Sequence, residues 1–167
     1  MLCGERTGPL LVDAEGIDGI AFTGSHDVGM KIFRKVASGP FARPVICEMG
    51  GKNPVYITAR ADLETAAEGV ARSAFGLSGE KCSALSVAYV ERSVHDRFLA
   101  LLVERTRALK VGSPEDKAVF MGPVIDDAAI ERFEKAAKSA RQAGRIVYGG
   151  NRMRTGGFAG GHFVEPT

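Results

Sequence analysis

Apolar residues along the chain fall into short blocks whose spacing switches repeatedly between continuous runs and a helical period. The run "GIAF" (19–22) leads into Thr23-Gly24-Ser25 and predicts a short buried strand. Over 27–37, Val28, Ile32 and Val36 share one helical face, and Gly39-Pro40 closes the helix. "PVIC" (44–47) and "PVYIT" (54–58) read as two further strands. The clearest helix starts from Asp62 as N-cap. Leu63, Ala66, Ala67, Val70, Ala71 and Ala74 then make one apolar stripe of small residues suited to close packing. Gly76 and Gly79 bracket its exit, which puts Cys82 on a loop, and "LSVAYV" (85–90) reads as the next strand. Ser93 is the expected cap of a helix with Asp96 at its capping-box position and a face of Val94, Phe98, Leu101, Leu102 and Leu109. Residues 111–116 read as a loop. Asp126 or Asp127 opens a further helix bearing Ile130, Phe133, Ala137 and Ala140, with Gly144 as its stop. "RIVY" (145–148) reads as a strand, and "GGHFVEPT" as the start of another. Strand–helix alternation of this kind predicts an α/β protein with a mostly parallel sheet.

Composition narrows the function classes. The 167 residues carry a net charge of +2 with no basic cluster, and aromatics are only 7%, which argues against nucleic-acid binding. No apolar run reaches membrane-spanning length, so no membrane partner is expected. The N-terminal residues lack the pattern of a signal peptide. Cysteines at 3, 47 and 82 are odd in number and scattered. They point to a reducing, cytoplasmic setting rather than a disulfide scaffold. With no C-x-x-C and no paired histidines, no metal site is expected.

Three stretches are candidates for chemistry, and each has an ordinary reading beside it. Cys82 lies in "SGEKCSA" among polar neighbours, and an adjacent cation such as Lys81 favours the reactive thiolate form. The ordinary reading is a small buried residue. Cys47, at the end of an apolar run, fits that reading better. Glu48 follows a buried strand and precedes Met49-Gly50-Gly51, a place where α/β proteins put catalytic groups and also ordinary turns. "FTGSHDVG" (22–29) takes a strand into a helix whose first N–H groups suit a phosphate, or it is a plain βα turn. None of the three makes a P-loop or a G-x-G-x-x-G motif. Of the histidines at 26, 95 and 162, only His26 lies in a special setting, and His95 reads as a surface residue in the first turn of its helix, so a Cys–His hydrolase stays open but without support.

Taken in order, F-T-G-S (22–25), E-M-G-G-K (48–52) and G-E-K-C (79–82), with 34 residues from Glu48 to Cys82, resemble the NAD(P)-dependent aldehyde dehydrogenase superfamily. The likeness runs to "GHFVEPT", similar to the family's G-x-F-x-x-P-T segment. It implies an aldehyde-dehydrogenase-like α/β fold. Residues 1–50 would be the end of a Rossmann-type NAD(P)-binding domain, and residues 51–167 part of the catalytic domain. It implies Cys82 as the nucleophile and Glu48 as the general base. Gly24, Ser25, Val28 and Gly29 would lie beside the pyrophosphate of NAD or NADP, with Met49 and Gly50 facing the nicotinamide. It also implies a small-molecule aldehyde as substrate and a homo-oligomeric full-length protein.

Within the superfamily, "FGLSGEKCSA" and "EMGGKNP" look most like the pyrroline-5-carboxylate dehydrogenase group, which implies glutamate semialdehyde as substrate. Two positions depart from that group. Glu80 stands where Gln is usual and adds a negative charge two residues from the thiol, opposing Lys81. Val87 stands where the family has Arg, removing an ion pair. The family's adenosine-binding segments, its oxyanion asparagine and its E-x-F-G-P segment have no counterpart in these residues. The expectation is therefore a central fragment with little or no activity alone. Another semialdehyde dehydrogenase, an NAD-independent thiol esterase and an inactive remnant remain as alternatives.

Overall fold

The computed structural model describes residues 7–167, so Cys3 lies outside the described residues. The chain divides into two compact units, one ending at Gly51 and the other running Lys52–Thr167.

The first unit contains helix α1 (Thr7–Asp13), strand β1 (Ile20–Thr23), helix α2 (His26–Ala37) and strand β2 (Val45–Glu48). Helix α1 was not foreseen from spacing. Its Pro9 stands in the first turn, where a missing N–H costs no helical hydrogen bond. Strands β1 and β2 pair in parallel, Ile20 opposite Val45 and Thr23 opposite Glu48. Ser25 caps α2 by accepting from the Val28 amide at 3.3 Å. The helix buries Gly29 and Val36, while Val28 is 43% exposed. The apolar face is therefore rotated from the expected Val28–Ile32–Val36 line. Consecutive helical residues are about 100° apart, and the side-chain-free Gly29 takes the close-packed position instead.

In the second unit, strand β3 (Asn53–Ile57) and strand β4 (Leu85–Val90) pair in parallel through helix α3 (Leu63–Phe75). The register slips between Asn53, opposite Leu85, and Pro54, opposite Val87, leaving Ser86 as the extra residue. Pro54 has no N–H to give to the ladder, which is where an irregularity is cheapest. Asp62 caps α3 as expected, accepting from Thr65 N at 3.0 Å. The small-residue stripe packs on helix α4 (His95–Arg107). Ile57, Leu63, Ala67, Val70 and Phe98 make the core between sheet and helices. A second cluster, Met121, Val124, Ala129, Ile130 and Val164, lies under helix α5 (Asp127–Ala143). Asp126 caps that helix, accepting from Ala129 N at 2.7 Å. Gly144 ends it, with its N–H on Ala140 O at 2.9 Å.

Three expected features differ in the structure. Ser93 does not cap α4: the N-cap is Val94, with no side-chain cap, and Ser93 Oγ donates to Glu91 Oε1 at 2.9 Å. Glu91 is the better local acceptor because it is a carboxylate already held by the Ala59 amide at 2.7 Å. That amide first, then the Ser93 hydroxyl, keeps the Glu91 carboxyl below its usual range. Residues 145–148 form no strand. Val147 is 46% exposed, and these residues have no ladder partner among the described residues. The chain then turns through Gly149 and Gly150, both at positive φ (74° and 91°). The expected C-terminal strand is reduced to one antiparallel bridge, Arg152 with Val164. No described helix is long and apolar enough to cross a membrane.

Candidate active site

Cys82 sits on an exposed turn built by strained backbone and tied down from several directions. After α3, Leu77 and Ser78 adopt left-handed conformations (φ 52° and 57°), followed by Gly79 at 74°. Each non-glycine residue there costs on the order of 1–2 kcal/mol. The hydroxyl of Ser78 offsets part of this, shared between Gly122 O at 3.0 Å and Pro123 O at 3.2 Å. Glu80 N donates to Leu77 O at 3.0 Å, and Glu80 Oε1 accepts from Ile125 N at 3.5 Å. The carboxylate of Glu80, a departure from the family pattern, is thus engaged by a backbone amide. Ala84 N donates to Lys81 O at 3.1 Å, closing the turn around Cys82. From β3, Asn53 Nδ2 donates to both Cys82 O and Ala84 O, each at 3.0 Å. The Cys82 N–H itself has no acceptor among the described residues. The exposure removes the buried-core reading of Cys82. Cys47, by contrast, is half-buried, with Sγ 3.7 Å from Gly29 O.

In the first unit, Glu48, Met49, Gly24, Ser25, Val28 and Gly29 gather where β1 and β2 end and α2 begins. Gly24 N donates to Glu48 O at 3.0 Å, extending the parallel ladder one residue beyond the strands. The Glu48 side chain is exposed and makes no hydrogen bond or ion pair among the described residues. At the start of α2 the Val28 amide is taken by Ser25, whereas the His26 and Asp27 amides have no acceptor among the described residues. Two open N–H groups at the positive end of a helix dipole fit an anion such as a pyrophosphate. The exposed Asp27 carboxylate on the same turn works against it. Gly50 has φ 94°, a conformation that favours glycine just after Met49. Glu48 belongs to the first unit and Cys82 to the second.

Gly29 is buried against Met49: a Cβ there would lie 2.6 Å from Met49 Sδ and 2.9 Å from Met49 Cγ. Gly29→Ala is expected to destabilise the chain by about 1–3 kcal/mol through overpacking, despite alanine's better helix propensity. Adding Met49→Ala should recover most of that loss in urea unfolding. A single variant as stable as the parent would show that Met49 moves aside freely.

A cavity of about 780 Å³ opens beside β4 in the second unit, lined by Leu85, Ala88, Leu102, Met121 and Phe133 among others. Ser78 and Glu80 reach its edge, but Cys82 does not line it. Val87 lies on the opposite, exposed face of β4, across from Pro54. The two side chains that pin the Cys82 turn, Asn53 and Ser78, were not singled out from sequence. The only sequence signal for either is its place beside a motif: Asn53 in "GGKNP" and Ser78 in "LSGEKC".

Comparison with known proteins gives a consistent picture. The model of the aldehyde dehydrogenase family matches residues 1–167. A 1-pyrroline-5-carboxylate dehydrogenase of Geobacillus kaustophilus is 42% identical over 98% of this chain and 32% of its own length. Among solved structures, a Thermus 1-pyrroline-5-carboxylate dehydrogenase with bound NAD is 31% identical, with a TM-score of 0.86. It is matched over 98% of this chain and 32% of its own. The γ-glutamyl-γ-aminobutyraldehyde dehydrogenase of Burkholderia cenocepacia is 38% identical, with a TM-score of 0.88, over 95% of this chain and 32% of its own. The chain thus spans about a third of the length of the curated relatives it matches.

Proposed function

The chain belongs to the aldehyde dehydrogenase family, and we propose on that premise that it carries the thiol and carboxylate with which a longer NAD(P)-dependent enzyme oxidises glutamate semialdehyde to the acid. Residues 1–50 would close the cofactor domain of that enzyme, and residues 51–167 would open its catalytic domain. The observation that carries the reading is the exposed Cys82 on a hydrogen-bonded turn, its own N–H without an acceptor among the described residues.

The chemistry follows from the residues. The Cys82 thiolate attacks the aldehyde carbon, forming a C–S bond and placing negative charge on the former carbonyl oxygen. The unengaged Cys82 N–H is available to that oxyanion. When bound, NAD(P)+ supplies the acceptor for the hydride that leaves the same carbon, and the product on Cys82 is a thioester. The α2 start, shaped by Gly24, Ser25, Val28 and Gly29, would hold the pyrophosphate, with Met49 and Gly50 near the nicotinamide. Glu48 takes a proton from water, whose oxygen attacks the thioester; the C–S bond breaks and the thiolate is restored. Among the described residues the Glu48 carboxylate has no partner, which suits it to accept that proton.

A second substrate reading has its own support, since the γ-glutamyl-γ-aminobutyraldehyde enzyme is 38% identical to this chain. Both readings are tested in one polypeptide, with this chain in place of the matching third of the Geobacillus kaustophilus relative. NADH formation with glutamate semialdehyde at the parent's order of rate is the expected result. Turnover of γ-glutamyl-γ-aminobutyraldehyde instead would select the second reading. A folded, cofactor-binding chimera that oxidises neither would sink both.

A further inference from the structure

We propose that Asn53 is a positioning residue for Cys82, fixing the backbone on both sides of the nucleophile; this rests on the reading of Cys82 given above. Asn53 opens β3 and pairs with Leu85 of β4, so its side chain springs from the ladder rather than from the turn it serves. Both acceptors it faces, Cys82 O and Ala84 O, are carbonyl oxygens, so only the NH2 end of the amide can meet them. Its two hydrogens are then both used, one on each carbonyl.

The consequence lies in the peptide planes. The bond to Cys82 O fixes the plane that follows the nucleophile. The bond from Ala84 N to Lys81 O fixes the plane that precedes it. A trans peptide holds its N–H and C=O on opposite sides, so with Lys81 O turned toward Ala84 the Cys82 N–H points away from the turn. Asn53 also holds Ala84 O, the other end of the residue that donates to Lys81. One side chain therefore braces the direction of the N–H that meets the oxyanion and the root of the thiol that makes the attack. Ser78 braces the same segment from its other end, on Gly122 and Pro123.

Two reactions of Cys82 in the 167-residue chain separate positioning from mere access. Acylation by p-nitrophenyl acetate forms an S–C bond, passes through an oxyanion and expels p-nitrophenolate. Alkylation by iodoacetamide displaces iodide at a saturated carbon and needs only an accessible thiolate. Both are followed at Cys82 by peptide mass spectrometry, with Cys47 as internal reference. Asn53→Ala should slow acylation roughly tenfold or more, as small misplacements of a reacting group do. Alkylation should stay within about threefold of the parent, because that reaction has no oxyanion to place. Asn53→Ser keeps one donor hydrogen and should fall between. If the alanine variant does not fold, the serine variant decides by the same ratio of rates. Unchanged acylation, or acylation and alkylation falling together, overturns the proposal. A parent chain that shows no more acylation than Cys82→Ala overturns the nucleophile reading, and the positioning role falls with it.

Discussion

Cys82→Ala is expected to abolish acylation of this chain by an activated ester and to reduce aldehyde oxidation in the proposed longer enzyme by about four orders of magnitude or more, the usual consequence of removing a covalent nucleophile. The magnitude follows from the proposed route, in which loss of the thiol would leave no thiohemiacetal, no thioester and no step for Glu48 to complete. The same substitution should leave stability within about 0.5 kcal/mol of the parent, since the side chain is exposed and Asn53 binds only its backbone. That pairing separates the readings of this cysteine. A structural cysteine would lose stability and keep activity; a nucleophile does the reverse. Cys47→Ala serves as control, because Cys47 lies half-buried beside Gly29. Retained turnover in a folded Cys82→Ala enzyme would remove Cys82 from the mechanism.

Phe98→Ala should be the most damaging substitution in the second unit, at about 3–5 kcal/mol. Phe98 is 2% exposed and fills the space between α4 and the small-residue face of α3, against Ile57, Leu63, Ala67 and Val70. Ala67 and Ala71 cannot swell to fill the void, and α3 and α4 are further tied by Arg105 to Glu64 at 2.8 Å, which limits collapse. Natural domains are stable by only about 5–15 kcal/mol, so a large share of the whole would be lost. Urea unfolding measures it directly. A loss under about 1 kcal/mol would show that the helices close over the gap.

The elements built from local rules were legible. β1, β2, β3 and β4 were visible as short apolar runs between turn residues, and Asp62 and Asp126 as N-caps, because each cap bond joins residues three positions apart. The failures share a cause. Ser93 was read as a cap from the same local logic, but a carboxylate two residues away, already anchored on Ala59, competed for its hydroxyl. Residues 145–148 had strand composition yet no ladder partner among the described residues, and a strand is made by its neighbour as much as by its residues. Helix α1 had no apolar stripe to announce it.

By itself the sequence determined the family, through three short motifs in order and the 34 residues separating Glu48 from Cys82. It also determined the alternation of strands and helices, since apolar spacing and capping act over a few residues of one segment. Only the tertiary structure decided how Cys82 is held. Asn53 reaches it from 29 residues upstream, Ser78 is bound 44 residues downstream at Gly122, and Glu80 meets Ile125 across 45. Those bonds join groups that no periodicity connects, and they form because the β3–β4 ladder and the 122–125 segment bring distant backbone to the same turn.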